Sequence, residues 1–456
     1  MTLHNRILKA HPATLVLASF LLAITFGTVL LMLPISTHSR QISFINALFT
    51  ATSAVCVTGL IVEATGTFFT GFGQSVILAL IQIGGLGVMT FSVALFRLIG
   101  RNISFRQRLA MQDLFSHTPR EDIFNLIRST ILFTLCAEII GALLLYVHWS
   151  KELSFSAALY TSVFHSISAF CNAGFSLFSD SMMRYSDSVL LNATMCSLIV
   201  LGGIGFPVLY DLQSWVRSRR KQRARLTVQT KTVLLTTLLL IAGGALMFAL
   251  LEYRSIPAPT LLTHHFLVSV FQSVTCRTAG FNTVDIASLS EATLALMIFL
   301  MFFGASPGSC GGGVKTTTLA LIGAFTLSRV RGHHRVNMFR KSIPSEAVNR
   351  SISLLLVSIG VIGLVLFMIL VGEAPAGSRE ASQGGSFLAY LFETASAFGT
   401  VGLSMGVTSG LSTWSKSWII LMMIAGRVGV LTFSYIIVGR GVTNGIEYSE
   451  ESLMIG

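Results

Sequence analysis

Long apolar runs, separated by shorter polar stretches, dominate the chain. Eight of them approach the length of about 20 residues that a helix needs to cross a bilayer. They lie near residues 14–33, 74–99, 126–148, 189–210, 229–251, 292–325, 351–371 and 417–438. Arg6 and Lys9 precede the first run, as in a signal peptide, but no A-x-A-like cleavage site follows it, so we interpret it as a retained helix. The pattern predicts an all-α polytopic membrane protein with eight transmembrane helices.

Four shorter, half-apolar segments lie between alternate runs. They cover residues 43–56, 156–171, 261–276 and 386–398. Segments of this length are too short to cross a bilayer and are typical of re-entrant helices. Each one ends in a small loop that contains glycine. We therefore predict four re-entrant half-helices, each followed by a loop, in the order span, half-helix, loop, span.

This order recurs four times, and the loop residues recur with it. Each loop has small or polar residues, then a glycine, then Leu or Phe, and the glycines are Gly59, Gly174, Gly280 and Gly402. Fourfold recurrence in a constant order indicates tandem repeats. We place the repeats at residues 1–100, 101–215, 216–335 and 336–442, followed by a carboxyl-terminal tail at 443–456. Pseudo-fourfold symmetry about one pore is the expected arrangement.

Composition supports the membrane interpretation. Apolar residues make up 53% of the chain and charged residues only 11%, whereas soluble domains carry about 25% charged residues. A soluble enzyme, a disordered chain and a disulfide-rich secreted protein are therefore disfavoured. The six cysteines form no CxxC pair or metal-ligand spacing. We found no catalytic constellation, and we expect no enzymatic activity and no organic cofactor.

The net charge of +12 is concentrated on one side of the predicted membrane. The linkers 97–123, 211–231 and 327–350 hold 5, 7 and 6 of the 31 Lys and Arg residues. By the positive-inside rule this face is cytoplasmic, so both termini are predicted inside and the loops open outward. Because the basic residues lie between apolar runs, we expect lipid headgroups or a partner protein at this face, and no nucleic acid.

The glycine loops can bind a cation through their backbone. Glycine permits backbone angles that other residues resist, so adjacent carbonyl groups can turn towards one axis. A ring of carbonyl groups replaces the hydration shell of a cation. The half-helices would point their negative carboxyl ends at the same centre. The loops contain no carboxylate, which disfavours a divalent-selective site.

Four span–loop–span units in one chain, with one loop glycine each, resemble the superfamily of K⁺ transporters that includes the TrkH, KtrB and HKT proteins. The run from His165 to Phe175 closely resembles the second pore loop of KtrB-type members. The resemblance covers essentially the whole chain and implies the ion-translocating subunit of a bacterial K⁺ uptake system in the inner membrane. The filter that it implies consists of Val57, Thr58, Gly59, Asn172, Ala173, Gly174, Thr278, Ala279, Gly280, Thr400, Val401 and Gly402.

The same resemblance implies the ions and the partners. K⁺ would bind at the filter carbonyl groups, with Na⁺ as a second candidate ion, because the longer glycine-tyrosine-glycine pattern of tetrameric K⁺ channels is missing. It also implies a homodimer, a cytosolic KtrA-type nucleotide-binding regulatory ring on the basic face, and a carboxyl-terminal tail that contacts the partner subunit.

The sixth apolar run is interrupted at residues 304–314, where proline and clustered glycine cannot continue a helix cheaply. The resemblance implies an intramembrane gating loop here, and a purely structural kink is the alternative. A phosphate-binding loop is disfavoured because Val314 breaks the GxxxxGK spacing. The gating residues that we predict are Gly304, Ala305, Ser306, Pro307, Gly308, Ser309, Cys310, Gly311, Gly312, Gly313, Lys315 and Arg427.

Charged residues inside the apolar runs are functional candidates. Family members use an arginine at the position of Arg427 as an electrostatic barrier, and a structural pairing with a gating-loop carbonyl group is compatible with that role. We interpret Glu138 as structural. We expect Glu393 to bond backbone amides behind the filter, with direct contact to the ion as the alternative. For Arg277, bracing a loop and repelling cations both stay open.

Two other transport modes were weighed. An alternating-access secondary transporter also uses broken helices, but it typically has two inverted halves, whereas this chain has four units of one direction. A Na⁺-permeable transporter of the same fold stays open.

Overall fold

The computed structural model describes residues 12–38, 41–87, 123–218, 226–253, 262–374 and 386–429. These residues are helical apart from turns, loops and one short hairpin. The predicted tail at 443–456 and the boundary between the first two repeats lie outside the described residues, so both stay predictions.

The first repeat begins with α1 (Pro12–Leu31) and a 3₁₀ turn at Pro34–Ser36. The half-helix α2 (Phe44–Val55) follows, then the short α3 (Thr65–Phe68) and α4 (Gly71–Gly85). Hydroxyl groups cap the amino ends of α2 and α4. Ser43 accepts a hydrogen bond from the amide of Asn46, and Thr70 accepts one from the amide of Gly73. Such caps satisfy amide groups that have no partner within the helix.

The second repeat contains α5 (Ile123–Trp149), the half-helix α6 (Phe155–Phe170) and a 3₁₀ turn at Met183–Tyr185. It ends with α7 (Val189–Ile204) and α8 (Phe206–Ser218). The third repeat contains α9 (Val228–Leu251), the half-helix α10 (Leu262–Thr275), a 3₁₀ turn at Ile286–Ser288, α11 (Glu291–Phe302) and α12 (Thr316–Val330).

A two-stranded antiparallel hairpin, β1 (Asn337–Met338) and β2 (Lys341–Ser342), leads into the fourth repeat. That repeat contains α13 (Ser345–Glu373), the half-helix α14 (Phe387–Gly399), a 3₁₀ turn at Thr408–Gly410 and α15 (Thr413–Val428). The order of span, half-helix, loop and span is therefore present in all four repeats.

Three described helices are long and apolar enough to cross a membrane by themselves: the segment Arg128–Trp149 of α5, the whole of α9, and α13. Their outer faces carry exposed apolar side chains, since Leu143 is 61% and Leu239 62% exposed. Patches of this kind on long apolar helices are suited to lipid. The chain is a multi-pass membrane protein.

The fourth predicted span, near residues 189–210, consists of two helices, α7 and α8. The chain bends by 96° between α7 and α8. Gly205, at the bend, has a left-handed φ of +99°, and Pro207 follows it in the first turn of α8. α4 and α15 likewise end just before a glycine with a positive φ, Gly87 and Gly429, and the residues that follow these two glycines lie outside the described part of the chain. The interruption predicted in the sixth span is present, between α11 and α12.

The four repeats close into a ring. The second-span helix of each repeat packs against the half-helix of the next repeat: α4 on α6, α7 on α10, α11 on α14, and α15 on α2. Each half-helix contributes a fully buried phenylalanine at the corresponding position: Phe49, Phe164, Phe271 and Phe392. Burying such a side chain stabilises the fold by roughly 1.5–3 kcal/mol. This ring of packed half-helices is the core of the molecule.

Second-span glycines allow the helices to approach the half-helices closely. A Cβ atom placed on Gly84 would lie 2.0 Å from the carbonyl oxygen of Val55. The corresponding distance is 1.8 Å from Gly202 to Phe170, and 2.0 Å from Gly426 to Phe398. Real Cβ atoms do not approach oxygen this closely, so any side chain would separate the two helices. The glycine clusters of three repeats are therefore packing requirements.

We expect Gly202→Ala to lower the free energy of unfolding by about 1–3 kcal/mol, because its methyl group overlaps the Phe170 carbonyl oxygen in a close-packed interface. Thermal unfolding of the purified protein in detergent measures this. Gly243→Ala is the matched control, since nothing lies within 4 Å of the added atom on this exposed face of α9. Equal stability of the two variants would contradict the packing role.

Candidate functional site

The four glycine loops share one unusual backbone turn. The residue two positions before each loop glycine has a positive φ: +56° at Val57, +59° at Asn172, +74° at Thr278 and +49° at Thr400. Left-handed backbone is uncommon for residues other than glycine and is an outlier for β-branched ones such as Val and Thr. Strain of this kind persists only where the surrounding structure enforces it. The half-helices and the neighbouring loops therefore hold all four loops in one imposed shape.

The loop glycines meet around one axis. A Cβ atom on Gly59 would lie 2.5 Å from the carbonyl oxygen of Ala173, in the loop of the next repeat. The same approach continues around the ring, from Gly174 to Ala279 at 2.9 Å, from Gly280 to Val401 at 2.5 Å and from Gly402 to Thr58 at 2.2 Å. Each glycine contacts the carbonyl group that precedes the glycine of the following repeat, and the fourth loop returns to the first. The ring is closed.

Hydroxyl groups of the half-helices fix the loops. The Oγ atoms of Ser53 and Ser396 accept hydrogen bonds from the amides of Gly59, at 3.1 Å, and Gly402, at 3.0 Å. In the second repeat, Ser168 instead donates its hydroxyl hydrogen to the carbonyl oxygen of Phe175 at 2.8 Å. These bonds occupy polar groups that are buried in protein.

A cavity of about 450 Å³ opens on one side of the ring, and all four loop glycines line it. The side chains that line the cavity are mostly small or polar, and they include the carboxylate of Glu63. The half-helices end at the ring, so their negative carboxyl ends surround its centre. This arrangement can replace the water around a passing cation by carbonyl oxygens.

The interrupted segment between α11 and α12 closes the opposite side of the ring. The amide of Gly312 donates a hydrogen bond to the Thr400 hydroxyl group at 2.8 Å. A Cβ atom on Gly311 would lie 2.2 Å from Oγ1 of Thr278. The segment therefore touches the residues directly below two of the four loop glycines, and its own glycines make this approach possible.

Backbone hydrogen bonds attach the same segment to the bend of the second repeat. Cys310 and Ser306 donate from their amides to the carbonyl oxygens of Gly202, at 3.2 Å, and Gly203, at 3.3 Å. In return, the amide of Phe206 donates to Gly308 at 3.0 Å. The interrupted segment also lies close to the bend itself, since the Pro307 carbonyl oxygen is 2.4 Å from the position of a Cβ atom on Gly205.

Two cationic side chains hold the segment by its carbonyl groups. The guanidinium group of Arg427 donates to the carbonyl oxygen of Cys310 and to that of Gly84, on α4 of the first repeat. The ammonium group of Lys315 donates to Gly311 at 2.8 Å. Arg427 thereby links α15, α4 and the interrupted segment. Both cations therefore hold the interrupted segment that contacts Thr278 and Thr400.

The remaining predicted residues lie behind the ring. Glu393 is fully buried and accepts a hydrogen bond from the hydroxyl group of Thr408. Our prediction that it bonds backbone amides was wrong, because among the described residues this hydrogen bond comes from a side chain. Arg277 donates to Thr237 of α9 at 3.2 Å. Glu138 accepts from Gln82 at 3.3 Å and joins α5 to α4. Glu138 thus connects two helices, Arg277 connects the loop after α10 to α9, and Glu393 connects α14 to the loop that follows it.

Two features of the site could not be predicted from the sequence. The left-handed turn at residues such as Val57 and Thr400 is the reverse of what their side chains favour, so no local pattern could predict it. The contact between Arg427 and Gly84 joins residues 343 positions apart, and only the ring arrangement brings them together. For the left-handed turn, the recurrence of similar loop residues at equivalent places in the four repeats was the one available signal.

The chain was compared with protein families and with known proteins and structures. The family model TrkH, described as a cation transport protein, matches residues 3–440. The chain is 40% identical to the Ktr system potassium uptake protein B of Bacillus subtilis, over 93% of this chain and 92% of that protein. It is 35% identical to the potassium/sodium uptake protein NtpJ of Enterococcus hirae, over 98% of each. The structure of the potassium transporter TrkH from Vibrio parahaemolyticus matches with a TM-score of 0.66 at 19% identity, over 92% of this chain and 84% of that chain.

We expect Thr400→Val to loosen the interrupted segment. Valine keeps the shape but removes the acceptor for the Gly312 amide, and an unpaired buried amide costs about 1–3 kcal/mol. Hydrogen–deuterium exchange at residues 311–313 should therefore be faster by roughly tenfold or more. Thr394→Val is the control, because its hydroxyl only donates to the Tyr390 carbonyl within the same helix. Unchanged exchange in Thr400→Val would show that this hydrogen bond does not hold the segment.

Proposed function

The chain belongs to the TrkH family of cation transport proteins, and from this membership we propose that it is the ion-translocating subunit of a bacterial K⁺ uptake system. Ions pass through the ring of four glycine loops, and the interrupted segment below the ring is the gate. K⁺ is the cargo of this pathway and is not a resident cofactor.

The closed ring is the observation that carries the proposal. Four loops from one chain meet at a single axis, each with its glycine against a carbonyl group of the next. The filter residues are the three at each loop that end in the glycine, from Val57 to Gly59 and their counterparts in the other repeats. A binding module or a two-halved secondary transporter has no need of this fourfold convergence.

The chemistry of the ring favours a weakly hydrated monovalent cation. Carbonyl dipoles supply partial charges that replace water without binding the ion too tightly to leave. The cavity above the ring admits a hydrated ion, and Glu63 in its wall attracts cations. Na⁺ is the second candidate ion, because a relative that is 35% identical is named a potassium/sodium uptake protein.

The segment from Gly304 to Gly313, with Lys315 and Arg427, is the proposed gate. It occupies the exit of the ring and is held by hydrogen bonds to the second and fourth repeats and, through Arg427, to the first. Glycine makes it flexible once those bonds break. Opening then requires that the segment move and that the positive charges leave the ion path.

The partners are also proposals. The relatives named as Ktr system proteins are parts of a system, which supports a regulatory component at the basic face. We propose a KtrA-type nucleotide-binding ring in the cytosol, a homodimer in the inner membrane, and both termini on the cytoplasmic side. The tail at 443–456, which would contact the partner subunit, lies outside the described residues.

Ion flux into proteoliposomes tests the function. Purified protein should take up radiolabelled Rb⁺, and external K⁺ should compete with this uptake. Radiolabelled Na⁺ measured in parallel separates a K⁺ pathway from the Na⁺-permeable alternative. A protein that folds but carries neither ion faster than empty liposomes would overturn the proposal.

We expect Gly402→Ser to weaken K⁺ selectivity. The new Cβ would lie 2.2 Å from the carbonyl oxygen of Thr58, on a backbone with φ of +92°, so the ring must widen or distort. Rb⁺ uptake should become less sensitive to K⁺, and the ratio of Na⁺ to Rb⁺ uptake should rise.

The control for this change is Gly406→Ser, which shares the left-handed backbone, with φ of +87°, but has nothing within 4 Å of its added atom. It separates backbone strain from the close contact in the ring. If both serine variants transport like the unmodified protein, Gly402 is not part of the filter.

Arg427 is expected to restrict flux, and two substitutions divide its roles. Arg427→Ala removes both the charge and the hydrogen bonds to Cys310 and Gly84, so Rb⁺ uptake by the isolated subunit should rise several-fold. Arg427→Lys keeps a charge but cannot bridge two carbonyl groups in the same way. A rise in both variants indicates a tether, a rise in the alanine variant alone indicates an electrostatic barrier, and no rise in either would remove Arg427 from the gate.

A further inference from the structure

A second cavity lies at the carboxyl end of α12, and none of the four glycine loops contributes to its lining. Its volume is about 390 Å³, and it lies between the last turns of α12, the hairpin of β1 and β2, and the first turn of α13. We call it the basic cup, after the three basic side chains in its wall: Arg329, His334 and Arg335.

The walls of the basic cup are fixed by contacts within the chain. The Arg329 guanidinium carbon lies 5.2 Å from the centre of the Phe325 ring, which also lines the cup. Ser328 donates its hydroxyl hydrogen to the carbonyl oxygen of Arg335 at 2.9 Å, and its own carbonyl accepts from the amide of His333 at 2.9 Å. These bonds pin the loop that carries the basic side chains against the end of α12.

The hairpin closes the other side. Ile343 donates from its amide to the carbonyl oxygen of Val336 at 2.9 Å, and the strand pairs are Asn337 with Ser342 and Met338 with Lys341. Val336 and Val348 are buried and form the apolar base. The cup is therefore a folded feature and does not depend on one mobile side chain.

The charges at the cup suit an anion. The lining residues include two arginines and no carboxylate, and Glu346, in the first turn of α13, is not among them. The first turn of α13 also borders the cup at Ser345, and Pro344, which precedes it, offers no side-chain acceptor to the amides of that turn. The positive end of a 29-residue helix is thus directed to the same place.

The position of the cup points to a lipid. The long apolar helix α13 begins at its rim, and on α12 the neighbouring Leu327 and Val330 are 49% and 81% exposed. Apolar surface on one side and basic groups on the other are found at the level of the phosphate groups of a bilayer. Basic pockets between membrane helices bind anionic headgroups in this way.

We propose that the basic cup binds the phosphate group of an anionic phospholipid, with its acyl chains along the exposed apolar side chains of α12 and α13. Arg329 and Arg335 donate to the phosphate oxygens, since guanidinium groups match phosphate geometry through paired hydrogen bonds. This site is separate from the glycine loops and does not rest on the proposed transport function.

The test is a lipid titration of the full-length protein in neutral detergent, followed by thermal unfolding. Phosphatidylglycerol should raise the unfolding temperature, whereas phosphatidylcholine of the same chain length and inorganic phosphate should not. The double variant R329Q/R335Q should need roughly 30-fold more phosphatidylglycerol for the same effect, at about 1 kcal/mol for each basic residue near the membrane.

The matched control is R331Q/K341Q, which removes two exposed charges from the same loop and hairpin without touching the lining of the cup. It should shift the titration by less than about threefold. If both double variants lost the same amount of stabilisation by phosphatidylglycerol, the lipid would be attracted by the general surface charge, and the proposed site would be wrong. Full stabilisation by inorganic phosphate would overturn the lipid assignment, and binding of a soluble partner at the cup with no response to lipid would replace it.

If the double variants do not fold, a second pair of single variants tests the same site. His334→Glu places a negative charge at the exposed rim of the cup, where no buried contact is lost, and it should abolish the response to phosphatidylglycerol. His333→Glu, at the neighbouring exposed position outside the lining, is its control. Equal responses of these two variants would also contradict the proposal.

Discussion

The rest of the structure depends on the absence of space at four glycines. Gly59, Gly174, Gly280 and Gly402 each lie against the carbonyl group that precedes the glycine of the next repeat, so even one methyl group would open the ring. This approach requires that the half-helices end at a common centre, which in turn requires the packing of each second span on the following half-helix. The left-handed residues before the glycines are strained because they satisfy that convergence and not their own preference.

The interrupted segment and the ring form one connected unit. The glycines of the segment contact Thr278 and Thr400, in the loops. The part of the segment from Ser306 to Cys310 forms backbone hydrogen bonds with the residues on either side of Gly205. A bend of 96° in the second repeat would be costly in isolation. Here the freed backbone groups of the bend bond to the segment, so each irregular stretch satisfies the polar groups of the other, as backbone inside a bilayer requires.

Hydropathy and internal recurrence were enough to predict the helical spans, the half-helices and the order of the four repeats. They were enough because a long apolar run in a bilayer must satisfy its backbone hydrogen bonds within itself, and a helix does so. The run alone therefore predicts the helix. The bend at Gly205 was missed, since a single glycine within an apolar run is compatible with a continuing helix. The partner of Glu393 was also missed, because Thr408 reaches it only after the loop folds back on the half-helix.

Within the part of the chain that the structure describes, an interruption as long as that between Phe302 and Thr316 occurs in the third repeat alone. An assembly of four identical chains would place four such segments on its axis, where there is room for one. Joining the repeats in a single polypeptide lets one quarter diverge while the others keep the geometry of the ring. The interrupted segment of the third repeat contacts two of the four loops, at Thr278 and Thr400, so this departure from fourfold symmetry reaches the ring unequally.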